Sequence, residues 1–184
     1  METLKKVWNS LHNSQNSEMD HGLEENYRKI VEEACENGEN RTIRCQSAKH
    51  SKHVSRLLIE NAEEDIRIYQ GIPEETFYQD EEIANAFEEA NERGVKTGIL
   101  LQGSACPEFE NFCEERNILL RDNVRPDENV SHWTLADNNS YRVEKPHDPE
   151  DFREEKYPLA LVNFNDEDRG NRIKRDHLKL LYNE

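Results

Sequence analysis

The chain has 184 residues, enough for a single domain with a buried core, and is 34% hydrophobic and 35% charged. Its net charge of −16 repels a phosphate backbone unless a local basic patch overcomes the average field. No apolar run of about 18 residues is present to span a membrane, and the amino terminus lacks the apolar stretch of a signal peptide. Cys35, Cys45, Cys106 and Cys113 form no CxxC pair and no zinc-like grouping, so reduced thiols in a cytoplasmic protein are expected, with no metal and no cofactor.

In chain order, the first element is an amphipathic helix with Leu4, Val7, Trp8 and Leu11 on one stripe. The polar stretch Asn13 to Asp20 reads as a link. A second helix follows, with Leu23, Tyr27, Ile30, Val31 and Ala34 expected on one face and a stop at Asn37-Gly38. Residues 1–40 are therefore expected to form a helical arm whose first stripe docks a protein partner.

From Arg41 the pattern alternates between strands and helices. Thr42–Gln46 reads as a strand, and Ser47 caps a helix through His53, Leu57, Leu58 and Ala62. Asp65–Tyr69 is a strand ending at Gly71; Asp80 caps a helix with Ile83, Ala84, Phe87 and Ala90 inward, stopping at Gly94. Val95–Leu101 is the most apolar strand, Pro107 starts a helix through Phe109, Phe112 and Cys113, and Ile118–Leu120 is a further strand. A hairpin spans Ser131 to Lys145 and a charged loop runs from Pro146 to Lys156. Leu159–Phe164 is the last strand before a closing helix that carries Ile173, Leu178 and Leu181. The alternation predicts an α/β fold over residues 41–184: a three-layer α/β/α sandwich with a mixed, mostly parallel sheet.

The hairpin segment SHWTLADNNSYRVEK carries a resemblance. Its opening is similar to the His-x-Lys-x-x-x-x-Asp motif of the phospholipase D superfamily, with His132 retained, Thr134 in the lysine position and Asn139 in the aspartate position. Asp137 follows the histidine sooner than in the full motif and an Arg142-x-Glu144 comes after it, as in a degenerate branch of that superfamily. The segments NAEEDIRIYQG, ERGVKTGILLQG and ALVNFNDED also resemble that family's strands and carboxy-terminal portion. The resemblance implies one phospholipase D-like half domain, and a single motif per chain implies a symmetric homodimer for any complete site.

In that chemistry one histidine attacks phosphorus, a second protonates the leaving oxygen, and lysines supply positive charge where negative charge develops. Losing the lysine removes a contact worth about 3 kcal/mol, which implies a catalytically impaired protein that binds or regulates. The alternative is a homodimeric phosphodiesterase or nuclease using paired His132.

A two-residue turn at Asn138-Asn139 sets His132 opposite Lys145, Thr134 opposite Val143 and Ala136 opposite Tyr141. His132, Thr134, Tyr141 and Lys145 then share one face, with Lys145 as surrogate cation, while Trp133, Leu135, Asp137, Arg142 and Glu144 share the other. The competing reading of the same residues is structural: Asp137, Arg142 and Glu144 as a salt-bridged cluster, with His132 an ordinary strand histidine. Outside the hairpin, His50-Ser-Lys-His53 has metal-like spacing without a neighbouring carboxylate in sequence. Lys49, Lys52, His53 and Arg56 form one basic island, and Arg169, Arg172, Lys174, Arg175 and Lys179 a second.

Overall fold

The computed structural model describes residues 22–71, 75–78, 80–124, 131–144 and 159–182. The stripe Leu4, Val7, Trp8 and Leu11, the link before residue 21, Lys145 and the charged loop lie outside them. Helix α1 covers residues 22–36. It is followed by β1 (Ile43–Cys45), α2 (Ala48–Glu60), β2 (Asp65–Gln70), a short α3 (Glu75–Tyr78) that the sequence pattern did not reveal, and α4 (Glu81–Glu92). The remaining elements are β3 (Lys96–Leu101), α5 (Pro107–Glu115), β4 (Leu119–Arg121), β5 (Trp133–Ala136), β6 (Ser140–Glu144), β7 (Ala160–Asn163) and α6 (Glu167–Tyr182).

The expected caps form. Ser47 Oγ accepts the His50 N–H at 3.1 Å, and Asp80 accepts those of Glu82 and Ile83, each satisfying amides that a helix start leaves without partners. Gly38 and Gly94 follow α1 and α4 with φ of 57° and 84°, a conformation glycine adopts without a Cβ penalty.

The seven strands form one mixed sheet in the order β1-β7-β6-β5-β2-β3-β4. Helices α1, α2, α4 and α5 bury apolar residues on one face, among them Val31, Leu58, Phe87 and Phe109. Helix α6 covers the other face, where Ile173 packs with Trp133, Leu135, Tyr141 and Val143. The α/β class and the layered, mixed sheet are as expected. The expected parallel bias holds only for β2-β3-β4: every other neighbouring pair is antiparallel, because β5 and β7 run against the rest.

Two helices are turned differently from their hydrophobic pattern. On α1, Val31 and Ala34 are fully buried but Leu23 and Ile30 are 66% and 44% exposed. On α6, Leu178 is exposed and His177, a polar residue, takes the inward position beside Ile173.

Candidate functional site

The five strands that share one direction, β1, β6, β2, β3 and β4, all end at the same edge of the sheet, and His132 enters β5 at that edge. Ligand sites of open α/β sheets form at such carboxyl ends. There the Glu144 N–H donates to the His132 carbonyl at 2.9 Å, and Thr134 pairs with Arg142.

This pairing corrects the expected register by one residue. The turn contains three residues, Asp137 to Asn139, rather than two, because Asp137 adopts φ 54° and joins it. The cause is long-range. The Asp137 carboxylate accepts N–H bonds from Glu63, Glu64 (2.8 Å) and Asp65 (3.1 Å), and its own N–H donates to the Asp65 carbonyl at 2.7 Å. A one-residue slip exchanges faces. Arg142 and Glu144 therefore join His132, Thr134 and Ala136, while Tyr141 moves to the α6 face with Trp133, Leu135 and Val143.

The predicted site residues separate accordingly. His132, Thr134, Arg142 and Glu144 come together. Asp137 and Asn139 lie at the far end of the hairpin, where Asn139 accepts the Asp166 N–H and helps seat α6. Asp137 consequently takes no part in an Arg142–Glu144 cluster.

Glu144 is the centre of the assembled group. One carboxylate oxygen forms an ion pair with Arg142 and the other stands 3.6 Å from His132 Nδ1. Burial alone raises a carboxyl pKa, but the His132 and Arg142 contacts outweigh it and pull Glu144 down to about 2. Arg142 is itself buried, its Nε lacks a hydrogen-bond partner, and its field reaches Tyr27 and Cys45. On the other side of His132, a Cβ built on Gly71 would sit 3.4 Å from the imidazole Cε1, so a bare glycine lets the ring lie close to the backbone. The ring also packs edge-on to Tyr69, with centroids 5.7 Å apart.

Sequence reasoning missed Gln70 and Tyr78. The Tyr78 hydroxyl donates to Gln70 Oε1 at 2.8 Å, and the buried Gln70 Nε2 has no partner. The available signal was positional: Gln70 closes β2 immediately before Gly71.

Of the first basic island, Lys52, His53 and Arg56 face carboxylates of the protein itself, as does His50, while Lys49 is exposed. Glu24 approaches His50 at 3.2 Å and Glu32 approaches His53 at 3.3 Å, both carboxylates supplied by α1, while His50 stacks on Tyr27 at 3.5 Å. Lys52 pairs with Asp80 and Glu82, and Arg56 with Glu60. No group of three or more metal-ligating side chains occurs among the described residues.

The sheet order, the flanking helices and a histidine at the carboxyl-end edge define a phospholipase D-like fold. Among solved structures, the chain is similar to Nuc from Salmonella typhimurium, a phospholipase D family member, with a TM-score of 0.58 and 17% identity over 78% of this chain and 95% of that one. It is also similar to NucT from Helicobacter pylori (TM-score 0.56, 13% identity, 78% and 97% of the two chains). TrmBL2, an archaeal chromatin protein with a novel mode of DNA binding, matches 99% of this chain and 67% of its own at a TM-score of 0.59 and 16% identity. No family model matches the sequence, and no curated protein matches it. No helix among the described residues is long and apolar enough to cross a membrane.

Proposed function

We propose that this phospholipase D-like domain works by binding rather than by turnover: a catalytically impaired regulatory module of the cytoplasm, assembled as a homodimer, with residues 1–40 docking a protein partner through Leu4, Val7, Trp8 and Leu11. The observation that carries the reading is the sharing of Glu144 between His132 and Arg142. Phosphodiester cleavage in this family draws on lysine charge directed at the phosphoryl oxygens. Here Thr134 stands in the lysine position, and Arg142, the cation across from it among the described residues, is buried and held by a carboxylate. Its charge is largely cancelled within the protein, so little remains to stabilise a transition state, which leaves rates down by about 100-fold or more.

The same cluster suits recognition of a single phosphate group at the strand ends, with His132 and the amide of Gln70 as donors. The net charge of −16 disfavours a long nucleic acid there. The orientation of His132 by Glu144 supports a second reading, a homodimeric phosphodiesterase with paired His132, since a carboxylate on Nδ1 is what aims an imidazole nucleophile.

Calorimetric titration of inorganic phosphate into wild type, His132→Ala and Gln70→Ala, with the molecular mass measured by light scattering, tests the binding reading. Binding by a dimer that weakens in both variants supports it. Absence of phosphate binding by a folded wild type, or a monomer with full affinity, contradicts it.

A further inference from the structure

On the face of the sheet opposite His132, a cleft of about 520 Å³ opens between α6 and the β5–β6 hairpin, floored by Trp133, Val143 and Ile173 and edged by Arg169 and Arg172 together with Asp166, Asp168 and Asp176. We propose that this cleft, together with the cationic stripe that continues from it along α6, docks an acidic peptide carrying one bulky apolar side chain. The proposal is independent of the His132 site.

Charge is segregated onto this helix. In a chain with 40 acidic and 24 basic side chains, α6 reverses the balance, with Arg169, Arg172, Lys174, Arg175 and Lys179 against Glu167, Asp168 and Asp176. Elsewhere among the described residues, Arg28, Arg41, Lys52, Arg56, Arg67, Arg116 and Arg142 each form an ion pair with a carboxylate, whereas Lys29, Arg44, Lys49, Arg93, Lys96 and Arg121 form none and are spread over separate elements. On α6, Lys174 donates to Asn138 and Arg169 lies 5.3 Å from the Tyr141 ring centroid. Arg172, Arg175 and Lys179 form no ion pair among the described residues. Their spacing of three and four places them on one stripe of the helix, and all three are exposed. Leu178 and Tyr182 are exposed beside them, at 38% and 66%. Arginine and tyrosine around an apolar pocket are the composition of interface anchors.

The partner's chemistry follows from the charges. A protein of net charge −16 repels a ligand in proportion to the ligand's own charge, so a peptide with a few carboxylates meets far less repulsion than a nucleic acid strand. Asp168 and Asp176 also interrupt any continuous track for phosphates but are compatible with peptide N–H groups. The apolar floor, Leu178 and Tyr182 accept a side chain that a phosphate backbone does not offer. Arg172 belongs to both the cleft and the stripe, which places the anchor residue next to the partner's acids.

Fluorescence anisotropy with the full chain tests this, using a fluorescein-labelled dodecapeptide of Glu and Ser with one central Phe, its Phe→Ala version, and a labelled single-stranded oligonucleotide. The variant R172Q/R175Q/K179Q is compared with K29Q/K49Q/K96Q, which removes the same charge from other exposed positions. We expect the first variant to lose about tenfold in affinity and the second to change little, while the Phe→Ala peptide binds about fivefold more weakly. Absence of peptide binding, equal losses in the two variants, or tighter binding of the oligonucleotide would overturn the proposal.

Discussion

Arg142 stands across from Thr134 on the neighbouring strand, so a guanidinium occupies the surroundings of the position where the phospholipase D motif has its lysine. Glu144 holds that guanidinium with one oxygen and takes His132 with the other. The first prediction follows from this sharing. Arg142→Met removes the cation paired with the buried Glu144 carboxylate and should cost about 3–5 kcal/mol in urea unfolding. Adding Glu144→Gln should recover part of that loss, and the double-mutant cycle measures the coupling.

Asp137 fixes the hairpin register through three backbone N–H groups. Replacing it with Ala strands those donors and requires another residue without a polar side chain to hold a positive φ, so a loss of about 2 kcal/mol or more is expected. Hydrogen exchange at the amides of Glu63, Glu64 and Asp65 should accelerate together, which a general destabilisation would not confine to these three.

Gly170 packs against the hairpin turn so tightly that a Cβ there would run into the Asn138 carbonyl group. Gly170→Ala places that Cβ against backbone, which cannot rotate away as a side chain can. Denaturant unfolding should register a loss of about 1–3 kcal/mol despite the better helix propensity of alanine.

Acid sensitivity should come in two stages. Burial first, and then the nearby Arg67 charge, lower His177 from 6.5 to about 4. The unfolded chain binds that proton at higher pH than the folded one, so the contribution is complete above 6.5 and is lost as pH falls towards 4. Glu144, lowered from 4.5 to about 2, gives the same sign between those values. His50 and His53 are also lowered, chiefly by burial, and act in the direction of His177. Replacing His177 with Phe should remove roughly 3 kcal/mol of pH dependence between pH 6.5 and 4, visible as a narrowing gap between wild-type and variant stability over that range.

Apart from the short α3, the order of strands and helices was legible because several helices announced their ends locally: Ser47 and Asp80 as caps, Gly38 and Gly94 as stops. His132 was legible through the motif it opens. The hairpin register was not, because the extra turn residue is set by contacts between Asp137 and the segment 63–65, far away in sequence. The sheet direction was misjudged for a related reason: β5, β6 and β7 are joined without crossover helices among the described residues and fold back on one another, reversing β5 and β7. The acids facing His50 and His53 come from α1, so no spacing within the His50-Ser-Lys-His53 run revealed them. His177 escaped notice as a core residue because the helical period was carried by Leu178, which the observed rotation of α6 leaves exposed.

Binding at His132 without turnover is tested most directly by hydrolysis of an activated phosphodiester by purified wild type and His132→Ala at matched concentration. Single- and double-stranded DNA serve as parallel substrates, and circular dichroism confirms that both proteins are folded. Wild type should show no turnover above the His132→Ala background. Turnover by wild type that disappears in His132→Ala would contradict it and establish the paired-histidine phosphodiesterase instead.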